Sequence, residues 1–150
     1  MTPDEKALAA GIDLTAYQPP PNLAPAARVG ATIYTSGHVS VGYQGKLGEE
    51  ISLEQGQEAA RVCAVQLLQA VYTLTGTLNN VRCVRLLGAV NCTPDFVEQH
   101  LVINGASELI WEILGKETRG YHARSALGFV SLPVGFAVEI EGIFELVDED

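Results

Sequence analysis

Arg124 has the setting in this 150-residue chain that most clearly invites a ligand. It stands in His122-Ala123-Arg124-Ser125, between small residues, with no acidic residue within four positions on either side. A guanidinium is permanently charged and presents a planar fork of donors, which suits a carboxylate. The competing assignment is a solvent-facing strand arginine paired with a neighbouring glutamate, the common fate of Arg. Fifteen residues further on, within Val138-Glu139-Ile140-Glu141, two glutamates alternate with core-type residues. On one strand face they lie about 7 Å apart and repel weakly. Partial burial would raise such a carboxyl's pKa toward values useful for proton transfer. They serve equally well as the polar outer face of an antiparallel strand. Together, an arginine and a glutamate on the last two strands make a candidate site for a small acid.

Other chemistries lack their residues. There is no G-x-G-x-x-G after a strand and no G-x-x-x-x-G-K-[ST], so those nucleotide cradles are unsupported and no cofactor is expected. His38, His100 and His122 lie far from one another and from the cysteines, in no ligand-like spacing, so no metal site is expected. Cys63, Cys83 and Cys92 are odd in number and form no C-x-x-C, which suits reduced thiols. Cys63 falls within an apolar helix and reads as a buried structural thiol. The chain has 9 Lys and Arg against 18 Asp and Glu, a formal net charge of −9. That balance disfavours a nucleic-acid partner and suits a small-molecule ligand. With 47% hydrophobic and 18% charged residues the chain is globular, and 150 residues suit a single domain, 1–150. The start shows no signal-peptide pattern and no apolar stretch approaches the ~20 residues of a membrane span, so no membrane role and a cytoplasmic location are expected.

The elements that must position these residues follow from period and capping. Residues 1–16 read as a short amphipathic helix, and Gln18-Pro19-Pro20-Pro21-Asn22 as a stiff extended connector. Ala27–Gly37 reads as a hairpin or bent strand pair around Gly30, and Val41–Gly48 as a loop or turn. Ser52 and Gln55 form a capping-box pattern ahead of an apolar stripe from Ala60 to Leu74, with Gly76 as its stop. Asn80–Cys92 reads as a strand. Thr93-Pro94 is expected to open a second helix, Thr as N-cap, running to Gly115. Lys116–Gly120 is expected to be a polar loop, followed by strands over His122–Leu132 and Phe136–Val147. The order βββ, α, β, α, ββ predicts an α+β fold: a small mixed sheet with two helices packed on one face.

The chain resembles the RidA/YjgF family, in which T-S-G-Q is followed by A-R-S, L-P and V-E-I-E. Here these read Thr35-Ser36-Gly37-His38, Ala123-Arg124-Ser125, Leu132-Pro133 and Val138-Glu139-Ile140-Glu141. The likeness runs from about Leu23 to Val147, leaving residues 1–22 as an added helix and proline-rich connector. Asn104-Gly105-Ala106-Ser107 together with His122-Ala123-Arg124-Ser125 looks like a longer branch that carries an endoribonuclease label. The resemblance implies a chorismate-mutase-like fold and a homotrimer with ligand sites in clefts between subunits. It further implies cofactor-independent hydrolysis of reactive 2-imino or 2-enamino acids to 2-keto acids and ammonia. By position, Arg124 would clamp the substrate carboxylate and Glu139 would position or deprotonate water. Ser36 and Gly37 would line the cleft, and Asn104 would help close it. The chain departs from the family where a tyrosine is replaced at Leu23, where Gln becomes His38, and where a cysteine becomes Ala126. His38, Tyr121 and His122 are polar groups that could stand in for the tyrosine. Leu23 motivates the alternative of a non-catalytic trimer that binds a small carboxylate as sensor or scaffold. RNA cleavage follows only from the branch label.

Overall fold

Two long helices lie across one face of a mixed sheet in the computed structural model, which describes residues 1–148. The elements are α1 (Pro3–Ala9), β1 (Ala26–Val29), β2 (Thr32–Thr35), β3 (His38–Val39), α2 (Leu53–Thr75), β4 (Val81–Asn91), α3 (Gln99–Leu114), β5 (Ala123–Phe129) and β6 (Val138–Leu146). The strands run in the order β1-β2-β6-β4-β5, with β3 pairing the far end of β6. β4 is antiparallel to β6 and parallel to β5, so the sheet is mixed and the architecture is the expected α+β. A parallel pair needs a crossover, and α3 supplies it between β4 and β5.

α2 forms where capping and period place it. Ser52 Oγ accepts the Gln55 N–H at 3.1 Å, and Gln55 Oε1 accepts the Ser52 N–H at 2.9 Å. Ala60, Cys63, Ala64, Leu67, Leu68 and Val71 line the buried face, and Gly76 ends the helix in the left-handed region at φ 70°. α3 buries Val102, Ile103, Ala106, Leu109, Ile110 and Ile113. The two helices meet at Gly105, where a Cβ would lie 2.1 Å from the Gln57 carbonyl oxygen. Beneath them sit Ile33 of β2, Leu86 and Val90 of β4, and Val138, Ile140 and Phe144 of β6. The opposite sheet face is uncovered.

Several local expectations are corrected. α3 begins at Gln99, six residues after Thr93. The Thr93 N–H is taken by the Leu47 carbonyl at 3.0 Å. Its buried Oγ1 has no hydrogen-bond partner and packs where a Cβ on Gly48 would lie 2.3 Å away. Thr93 therefore follows the Cys92–Leu47 bridge just past the end of β4, and Pro94 falls in a turn closed by Phe96 N–H to Thr93 O at 3.2 Å. α1 is shorter than residues 1–16, because Gly11 turns the chain at φ 78°. Asp4 docks it on the link after α2, accepting from the Thr77 hydroxyl at 2.6 Å and the Leu78 N–H at 2.8 Å. The connector is not uniformly extended, since Asn22 takes a left-handed φ of 64°. Gly115–Arg119 forms a π-helical turn in place of a plain loop. β5 and β6 start later and end sooner than expected. Among the described residues no helix is long and apolar enough to cross a membrane.

Candidate functional site

Arg124 pairs with Leu86 in the β4–β5 register, and Leu86 is fully buried beneath the helices. Paired residues share a face, so the Arg124 side chain rises toward α3. Its Nη1 donates to Asn104 Oδ1 at 2.9 Å and to Ser107 Oγ at 3.2 Å, while Nη2 donates to the His100 carbonyl at 3.3 Å. His100, Asn104 and Ser107 stand at i, i+4 and i+7, one stripe of α3. Gly105, between them, turns to α2 instead, which explains Asn104-Gly105-Ala106-Ser107 residue by residue. All three acceptors are neutral, and no carboxylate among the described residues pairs with Arg124. Burial pulls its pKa below the ordinary arginine value. Three of its five donors are used, leaving Nε–H and one Nη2–H.

Ser36, Gly37 and Glu139 form a second cluster. Val39 of β3 and Ala89 of β4 flank Glu139 in register. A Cβ on Gly37 would lie 2.7 Å from Glu139 Oε2, so only glycine permits this approach of the carboxylate. Burial first, and the neighbouring Glu141 second, raise the Glu139 pKa above the usual carboxylate value. The Ser36 hydroxyl donates to the Ala24 carbonyl at 2.5 Å, tying the segment before β1 to the β2–β3 turn.

Within one chain these two clusters stay apart. Leu86 and Ala89, the β4 partners of Arg124 and Glu139, differ by an odd number of positions and so face opposite ways. β4 lies between β5 and β6, and strand spacing puts the two Cα atoms roughly 14 Å apart. Arg124 and Asn104 are brought together; Ser36, Gly37 and Glu139 are brought together; the sheet separates the groups.

Sequence reasoning missed two links. Tyr17, in the connector, donates its hydroxyl to His38 Nε2 at 2.6 Å. His38 must donate from Nδ1 to the Ser36 carbonyl at 2.7 Å, since a carbonyl only accepts, and burial keeps the ring neutral. Nothing in a proline-rich connector signals that contact. Ser107, fully buried, lies 2.9 Å from His122 Nε2 as well as against Arg124. Their place in the two branch motifs was the available signal. Tyr121 is exposed and lies outside both clusters. No group of three or more His, Cys, Asp or Glu side chains converges as a metal site among the described residues. Cys63, Cys83 and Cys92 are free and buried, with the Cys83 thiol pushed up to about 12 by burial.

No protein-family model matches the chain. Protein TCP17 of Trypanosoma cruzi is 45% identical over 103 residues, 68% of this chain and 64% of that one, so the match spans under two-thirds of that relative's length. Among solved structures, the Agrobacterium tumefaciens protein Atu1372, of unknown function, is 37% identical with a TM-score of 0.85, over 96% of this chain and 92% of its own. An endoribonuclease candidate from Shewanella oneidensis MR-1 is 27% identical with a TM-score of 0.90, over 97% of this chain and all (100%) of its own. At 18% identity the YjgF gene product of E. coli shares the fold, with a TM-score of 0.58 over 89% of this chain and 94% of its own. The α+β sheet, the two helices on one face and the Arg124 and Glu139 motifs carried in β5 and β6 agree with this likeness. The chain has the YjgF-like fold of these structures, which supports its resemblance to the RidA/YjgF family.

Proposed function

We propose that the protein hydrolyses 2-imino and 2-enamino acids to 2-keto acids and ammonia at clefts completed by a second copy of the chain. The observation that carries this reading is Arg124: a half-buried guanidinium held by neutral acceptors, with no acid of its own and a donor edge left open. A carboxylate docked on that edge supplies the missing charge with two parallel hydrogen bonds. Glu139 is on the wrong face to reach the same ligand, so the site needs Arg124 of one subunit beside Glu139 of the partner subunit in a homotrimer. There Glu139 accepts a proton from water as the water oxygen adds to C2 of the protonated imine. Glu139 returns that proton to the nitrogen of the resulting amino alcohol, and the C2–N bond breaks to release ammonia. The hydroxyl on C2 gives up its proton to Glu139 or water as the C2–O bond becomes the keto group. No redox step or cofactor enters. An enamine first takes a proton at C3 to become the imine. A raised pKa suits Glu139 to this shuttling.

Incubation with a source of 2-aminoacrylate, following pyruvate release, tests the reading. Removing one partner of a desolvated arginine–carboxylate contact costs about 2–5 kcal/mol, so Arg124→Ala should lower kcat/KM by about 30-fold or more. A wild-type rate equal to buffer overturns catalysis. A second reading, binding without turnover, is favoured by one observation: position 23 is an exposed leucine, and the Ser36 hydroxyl proton is spent on Ala24. Calorimetry with 2-ketobutyrate, benzoate and serine separates the two, since binding without pyruvate release supports the second and no binding removes both.

A further inference from the structure

We propose that Ser107 and His122 are positioning residues that hold the Arg124 guanidinium in its carboxylate-binding orientation through a directed hydrogen-bond chain. The inference rests on the reading of Arg124 as the carboxylate clamp. The chain starts at the Gly120 carbonyl, 2.5 Å from His122 Nδ1. A carbonyl can only accept, so Nδ1 carries the proton. Burial, helped by the charge on Arg124, holds the His122 pKa below its ordinary value, so the ring is neutral and Nε2 is an acceptor. Ser107 Oγ, 2.9 Å away, therefore donates its proton to Nε2 and keeps its lone pairs for Arg124 Nη1 at 3.2 Å. Each member has one available role, and reversing any of them breaks a neighbour's bond.

The setting is built rather than incidental. Ser107 is fully buried on α3, and the His122 ring lies 6.2 Å from the Trp111 ring, tilted by 34°. Trp111 is itself covered by Lys116, whose Nζ sits 5.0 Å from the ring centroid. With Asn104 accepting the other Nη1 hydrogen, both are spent on α3, and Nε–H is left without a protein acceptor among the described residues. A serine and histidine at this distance resemble a nucleophile and base, but a fully buried hydroxyl engaged to an arginine cannot meet a substrate. Their action is on Arg124.

Two substitutions at one position separate the roles. Asn at 122 replaces the Nδ1 end of the ring and keeps the bond to Gly120 while losing Ser107. Gln reaches the Nε2 position, accepts from Ser107 and gives up Gly120. Protein labelled with 15N at arginine and histidine is examined by NMR, with thermal melting to verify folding. In wild type, His122 is expected as the Nδ1–H tautomer and the Arg124 guanidinium rotates slowly. His122→Asn and Ser107→Ala should release that rotation and raise the Kd for 2-ketobutyrate about tenfold, the scale of one charge-assisted hydrogen bond. His122→Gln should stay within about twofold of wild type, a difference below 0.5 kcal/mol on the same scale. Free rotation in wild type, or His122→Gln as loose as His122→Asn, overturns the proposal. Wild-type protein that fails to bind 2-ketobutyrate overturns the carboxylate reading instead, and the guanidinium rotation still decides whether the chain orients Arg124.

Discussion

Glu139 shows how much a single residue's role depends on its surroundings. Alternation already places it opposite the core face, beside Glu141, and that pairing is legible in sequence. Its raised pKa is not, because most of the shift is burial under the β2–β3 turn, created by the contact with Gly37. A carboxyl whose pKa rises on folding stabilises the native state fully below its unfolded value near 4.5, and that contribution is lost as pH climbs through the folded value. A neutral Glu139→Gln variant should therefore melt above wild type at about pH 7.5, with the difference closing by about pH 4. Equal melting temperatures at the higher pH, or a gap that widens on acidification, would contradict this. Arg124 illustrates the converse. Its lack of nearby acids in sequence carries through to the fold, where every hydrogen-bond acceptor it meets is neutral.

At the scale of elements, α3 is the part that decides the site. Its stripe of His100, Asn104 and Ser107 holds Arg124, and its opposite stripe packs on the core and α2. Gly105 permits the closeness of α2, since any Cβ there meets the Gln57 backbone. Gly105→Ala should cost about 1–3 kcal/mol through overpacking, read as a lower urea midpoint with unchanged m. It should also loosen Arg124, because its support rides on the displaced helix. An unchanged midpoint would mean that the helices separate at no cost. Apolar period made α3 recognisable over most of its length. Its start lies later than the sequence predicts because Thr93-Pro94 carries a strong local capping signal that the backbone bond to Leu47 overrides. A tertiary partner 46 residues away in sequence is invisible to a local rule.

The whole molecule leaves one sheet face bare. Tyr34, Leu127 and Phe129 are exposed there, with Ile143, Leu87 and Ala89 between them. A mixed sheet whose uncovered face carries this apolar area favours association, as the proposed composite site requires. Light scattering at micromolar concentration should show a three-chain particle. A monomer under those conditions would dissolve the proposed composite site. Replacing Leu127 and Phe129 with serine should shift the particle toward monomer and abolish turnover together, while leaving the Arg124–Ser107–His122 chain in place on the helix side of the sheet.

Sequence alone determined the fold class, the two helices and their covered sheet face, and the candidacy of Arg124 and Glu139. Those depend on periodicity, capping and residue chemistry, which are local. Only the tertiary structure decided that the two residues stand on opposite faces, that Ser107 and His122 brace Arg124, and that Tyr17 reaches His38. These depend on strand order and on contacts between distant segments. Strand order puts β4 between β5 and β6, and a period of two then sends neighbouring motifs to different sides of one sheet.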